Sequence, residues 1–153
     1  MGSHHAQQSD QSDKRWLDLE QIATVEATSE DPRFPIEYAF GSNDGPGWRA
    51  SQDGEQQIRI IFDKAVSVHR MELRFHEADC ERTQEFVLRW SSESGGSVRE
   101  IVRQQWNFSP TGSTTEIEHY VVDLDAVSVL ELTIRPDLHR PEAVATLASW
   151  HLG

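Results

Sequence analysis

"QQIRIIFDKAVSVHRMELRF", residues 56–75, is the stretch whose reading decides the fold. Its first part, "IRIIF" (58–62), is a short apolar run of the length and composition of a buried strand. "DKA" (63–65) reads as a tight connection. Val66 and Val68 then share one face, and Met71, Leu73 and Phe75 share a face after a slip at His69 and Arg70. A slip of one residue in a period-two pattern is what a β-bulge produces. Two strands in twenty residues, without helical spacing, point to an all-β domain.

The same pattern recurs on both sides. Upstream lies "IATVEAT" (22–28). Downstream lie "EFVLRWS" (85–91), with Phe86, Leu88 and Trp90 inward and Val87 and Arg89 outward, and "VREIVRQQW" (98–106) after a "SGGS" turn. "IEHYVVDL" (117–124), "VLELTIRP" (129–136) and "VATLASWHL" (144–152) complete the set. Leu130, Leu132 and Ile134 share one face, as do Ala145, Leu147 and Ser149. Val, Ile, Phe and Trp are the residues that pleated, half-buried surfaces favour. Helix is confined to one turn at "PIEYAF" (35–40), where Pro35 suits a helix start. Strands without intervening helices form antiparallel sheets. The expected fold is an eight-stranded antiparallel jelly-roll sandwich.

Connection lengths alternate. Those after the second, fourth and sixth strands are short: "DKA", "SESGG" and "DAVS". Those at 29–57, 76–84, 107–116 and 137–143 are long. If successive strands run up and down, every long loop falls at one end. Function concentrates on loops held by a rigid scaffold, so that end is the expected site. It gathers Asn43, Asp44, Trp48, Arg49, His76, Glu77, Asp79, Arg82, Asn107, Asp137, His139 and Arg140.

At 153 residues the chain suits one domain. Residues 1–15 are polar and low in complexity, so they read as a disordered lead-in to a domain at 16–153; His4 and His5 are set aside. The net charge of −12 repels nucleic acid and anionic membranes, so neither is an expected partner. No run approaches the roughly 18 apolar residues of a membrane span. The start shows no apolar leader, and Cys80 is the only cysteine, so no internal disulfide can form. These features set the expectation of a cytoplasmic location.

"YAFGSNDGPGWRAS" (38–51) leads into the second strand. With it and the segments above, the chain resembles the discoidin, or coagulation factor 5/8 C-type, domain of the galactose-binding-like jelly rolls. Ala39 and Trp48 stand at that family's spacing. "QQIRIIFDKAVSVHRMELRF", "EFVLRWSSESGGS" and "ATLASWHL" resemble its successive strands. The resemblance runs from about residue 22 to 152. It implies a binding module, most often for carbohydrate, and in many relatives a structural calcium. The family's acidic loop positions fall here on Gly41 and Asn43, its glycine on Ser42 and its threonine on Pro46. Its calcium-holding glutamate on the last strand falls on Ser149. Asn43 and Asp44 remain as calcium ligands beside backbone carbonyls; no other cofactor is expected.

Each candidate residue has two readings. Trp48 is a platform for a pyranose ring or a plug beneath the loop. Arg49 grips a hydroxyl or carboxylate, or makes a salt bridge. Glu77 and Arg82 serve a ligand or pair with each other, and His76 and Cys80 lack the paired spacing of a zinc site. Trp106 and Phe108 share a face and read as core or rim. His139 and Arg140 tip the turn "PDLHRPEA" (136–143) as contacts or as solvated charges. No Gly-x-Ser-x-Gly elbow, phosphate loop or His-Glu-x-x-His occurs. The expected function is therefore non-catalytic carbohydrate binding at the long-loop end. The alternative is an intracellular protein–protein interaction module on the same fold.

Overall fold

The structure, a computed structural model, describes residues 16–41, 45–92 and 97–153. Eight strands are found among them: β1 (Ala23–Ala27), β2 (Trp48–Asp53), β3 (Gln56–His76), β4 (Arg82–Ser92), β5 (Arg99–Phe108), β6 (Thr115–Arg135), β7 (Val144–Leu147) and β8 (Ser149–Leu152). All pairings are antiparallel. One sheet has the order β1-β3-β6-β4-β5 with β8 added on β3, and a second pairs β2 with β7. A single helical turn (Leu19–Ile22) precedes β1, and the expected turn at 35–40 is a 3-10 helix, Ile36–Phe40, begun by Pro35.

Two expected turns are not turns. "DKA" and "DAVS" lie inside β3 and β6, each 21 residues long. Extended at about 3.3 Å per residue, such a strand would reach roughly 70 Å. A domain of this length has a radius of gyration of only roughly 15 Å. The β3–β6 ribbon therefore doubles back. Ile58–Ile61 pair with Val129–Leu132, and Arg70–His76 pair with Thr115–Val121. Register shifts fill the interval from Ile61 to Arg70, including the slip expected at His69 and Arg70. Ala126 takes φ 55 there, and is the one non-glycine residue with positive φ among those described. The two halves of the folded sheet face each other: the ring of Phe75 stacks on Phe86 at 5.2 Å, and Tyr120 meets Phe86 edge-on.

The expected periodicity places the core correctly. Ile58, Ile60, Met71, Leu73, Phe75, Phe86, Leu88, Leu130, Leu132 and Ile134 are all buried. Val87 is the exception on the outer face. It is buried too, because Arg89, Arg103 and Arg135 lay their stems around it while pairing with Glu85, Glu100 and Glu131. The last expected strand, 144–152, breaks at Ala148, whose N–H donates to Arg74 O. β7 joins β2 and β8 joins β3, so one segment clips the two sheets together. β2 itself was hidden inside the expected 29–57 loop, because "WRASQD" buries only Trp48 and Ala50.

Gly47 enters β2 at φ 75, and a Cβ there would lie 2.6 Å from Leu147 O and 2.8 Å from Ala148 Cα. Gly54, at φ 80 in the β2–β3 turn, has nothing nearer than 3.6 Å. Gly54→Ala is expected to cost only the left-handed backbone penalty, about 1 kcal/mol. Gly47→Ala must also push two strands apart, for a total of about 3 kcal/mol. Urea unfolding of the two variants checks this; equal losses would mean that the loop gives way freely.

Candidate functional site

The folded ribbon brings the chain's long connections to one end. Glu77 N–H donates to Thr114 O, Leu138 N–H to Thr83 O, Gly54 N–H to Ala143 O and Arg49 N–H to Phe34 O. Segments 28–41 and 45–47, 77–81, 109–114 and 136–143 are thus neighbours, as the alternation of connection lengths anticipates. The bends at 62–67 and 124–128 lie at the opposite end.

Arg82 pins this end from inside. Its side chain is 3% exposed, and its Nε donates to Glu77 Oε1 at 2.8 Å. Nη1 donates to Gln84 Oε1 at 3.0 Å and Pro136 O at 2.7 Å, while Phe108 lies 4.7 Å beneath the guanidinium. Glu77 is held below the usual carboxylate range: partial burial pushes it up, but the bonds from Arg82 and from backbone N–H groups outweigh that. Arg82 is therefore a buried anchor, not an exposed ligand contact, and losing one partner of such a pair is costly.

Gln84 Nε2 passes the chain of bonds on to Glu116 Oε1 at 3.2 Å. Glu116 is fully buried. Burial, then its hydrogen bond with Glu118, pushes its carboxyl up to about 9. Between the ordinary carboxylate range and pH 9, the folded protein keeps this proton and the unfolded chain does not. Stability therefore falls as pH rises through that window. Glu116→Gln, which retains an acceptor for Gln84, is expected to flatten that slope and raise the melting midpoint at pH 8. Thermal unfolding from pH 5 to 9 tests it; an unchanged slope would mean Glu116 is ionised in the fold.

Two concavities open at this end, and Arg49 borders both. One, of about 350 Å³, has Phe34, Pro46 and Leu147 in its walls, with Arg33, Arg49, His76 and Thr146 as polar lining. The other, of about 300 Å³, is ringed by Arg49, Arg82 and Arg140 with Glu77, Asp79, Glu81, Asp137 and Glu142. Trp48 is 1% exposed, and its Nε1 donates to Ser29 O at 3.0 Å. It is the plug, and its ring faces are packed in the core. The half-buried aromatic ring on the first cavity's wall is Phe34 instead.

Arg49 is exposed on β2, and no described residue hydrogen-bonds or ion-pairs with its guanidinium. His76 meets Thr115 Oγ1 through Nδ1 at 3.1 Å. Arg140 is exposed beside the acidic ring of the second concavity. His139 turns to a separate depression with Gly54 and Pro141, away from Arg49. Asp137 shapes that turn by accepting from the backbone N–H groups of Thr83 and His139. Asn43 and Asp44 lie outside the described residues. Arg33, Phe34 and Thr146 escaped the sequence reading. The Asp31–Arg33 pair, two residues apart in "DPRFP", was the one available signal: Arg33 closes on Asp31 through Nε and Nη2 and draws that carboxyl down.

The calcium that the family resemblance implies needs an oxygen cage. Among the described residues no three His, Cys, Asp or Glu side chains converge. Ser149 Oγ is buried without a partner and supplies one neutral oxygen.

No family model matches the sequence, and no curated protein matches it. Solved structures do. A family 32 carbohydrate-binding module from Clostridium perfringens NanJ, in complex with galactose, superposes with a TM-score of 0.67 at 14% identity, over 90% of this chain and 97% of that one. The family 32 module of AlyQ, in complex with 4,5-unsaturated mannuronic acid, gives 0.62 at 19% identity over 90% and 97%. A pectin-binding carbohydrate-binding module gives 0.61 at 17% identity over 87% and 91%. The chain has the galactose-binding-like, discoidin jelly-roll fold that these modules share.

Proposed function

We propose that this chain is a non-catalytic carbohydrate-binding module that takes its ligand at the long-loop end, in the two concavities that Arg49 borders. The observation that carries this reading is the site itself: a concave, mixed polar and apolar surface at the loop end of a fold shared with several carbohydrate-binding modules. Arg49 supplies a donor fork, Phe34 an apolar face for a pyranose ring, and the carboxylates of the second concavity accept from hydroxyls. The non-catalytic part is supported by Glu116. It is the carboxyl most strongly raised among the described residues, and it is sealed in the interior, where no substrate meets it.

Thermal unfolding against mono- and oligosaccharides tests the reading. A ligand at one hundred times its Kd should add about 2.7 kcal/mol and raise the midpoint by several degrees. Phe34→Ala should remove most of that shift with little change in the unliganded midpoint. A panel with no shift would favour protein interaction instead. That second reading has its own observation: Val121, 92% exposed, and Ile117 stand on one face of β6.

A further inference from the structure

The arginines of this chain are almost all occupied. Among the described residues, seven lie within 4.0 Å of a carboxylate. Arg70 and Arg99 lie over the rings of Trp16 and Trp90. Arg49 and Arg140 have neither kind of partner among those residues, and their surroundings differ in sign. Arg140 shares its concavity with five acidic residues. Among the described residues, none in the lining of the cavity of about 350 Å³ that Arg49 borders is acidic, in a chain with 26 acidic and 14 basic residues. The carboxylate nearest in influence, Asp31, is already held by three bonds from Arg33. Thr146 is also in the lining, but its Oγ1 is turned inward, buried and without a partner among the described residues. The cavity thus offers a guanidinium with no hydrogen bond or ion pair among the described residues, beside an apolar wall.

We infer that this cavity takes a sugar bearing a carboxylate, a uronic acid residue, with Arg49 as its bidentate partner. The inference rests on the carbohydrate-binding reading and narrows it. A guanidinium fork matches a carboxylate with two parallel N–H···O bonds, and such charge-assisted bonds are the strong ones. Phe34 is placed for a C–H face of the ring. The acidic concavity next to it suits hydroxyls and repels a second carboxylate. A net charge of −12 likewise opposes a long polyanion laid across the surface. The ligand that fits both facts is a short chain ending in one uronate, followed by a neutral sugar.

The test is titration calorimetry with an aldobiouronic acid, one uronate joined to one neutral sugar, beside the same disaccharide with its carboxyl reduced to the alcohol. The acid is expected to bind about tenfold more tightly, the difference one charge-assisted pair makes. Arg49→Gln should erase that preference, and Arg49→Lys should keep part of it. Both variants should melt with the wild type, since no described residue bonds to the Arg49 side chain. Equal affinity for the acid and its reduced form, or a preference that survives Arg49→Gln, would overturn the uronate assignment while leaving a sugar-binding module. Binding of neither, with no response to any neutral saccharide, would overturn both.

Discussion

The doubling back of the β3–β6 ribbon is the constraint on which the rest of this molecule depends. Two strands of 21 residues stay hydrogen-bonded to each other along most of their length, yet a domain this small cannot hold them straight. Bending the pair costs local register, paid in bulges between Ile61 and Arg70 and in the left-handed backbone of Ala126. In return, apolar faces of one continuous sheet close on each other, and Phe75, Phe86 and Tyr120 meet across the gap. Both ends of each long strand then arrive at one end of the sandwich, which is why the long loops gather there.

That end is held by polar contacts rather than by apolar packing alone. Arg82 ties β4 to the loop after β3 through Glu77 and to the loop after β6 through Pro136 O. Gln84 carries the connection to Glu116 at the start of β6. Two loops and the start of β6 are thus referred to one guanidinium, stacked on Phe108. Glu116, kept neutral by burial, spares the interior a second buried charge at the cost of a proton held far above its ordinary range. The outer face of β4, β5 and β6 solves a different problem. Its arginines and glutamates neutralise one another and cover Val87.

Against this background of satisfied charge, the cavity beside Arg49 stands apart. Its floor is set by Trp48, locked to Ser29 O, and by Leu147 on β7, which pairs directly with Trp48. Gly47 lets the chain pass against Leu147 and Ala148 at a distance no side chain would permit. A rigid floor, and at the rim a guanidinium with no hydrogen bond or ion pair among the described residues, suit a pre-organised polar site.

Much of this was legible in the residues themselves. Alternating Val, Ile, Leu and Phe identify the strands and their inward faces, because the period of two belongs to the backbone and not to the tertiary context. The short strand β2 was illegible, since only Trp48 and Ala50 of its six residues enter the core. The segments at 63–65 and 125–128 look alike in sequence whether the chain turns back on itself or bends across a sandwich, because both demand the same break in periodicity. Among the candidate residues, local pattern located the loop end but could not separate Trp48 from Phe34, or Arg82 from Arg49. An aromatic ring becomes a platform or a plug, and an arginine a grip or an anchor, according to what packs over it. Those neighbours come from strands and loops dozens of residues away. The sequence by itself therefore determined the all-β class, the inward faces and the end at which the long loops meet. Only the tertiary structure decided which side chains there are buried and paired, and which remain open to a ligand.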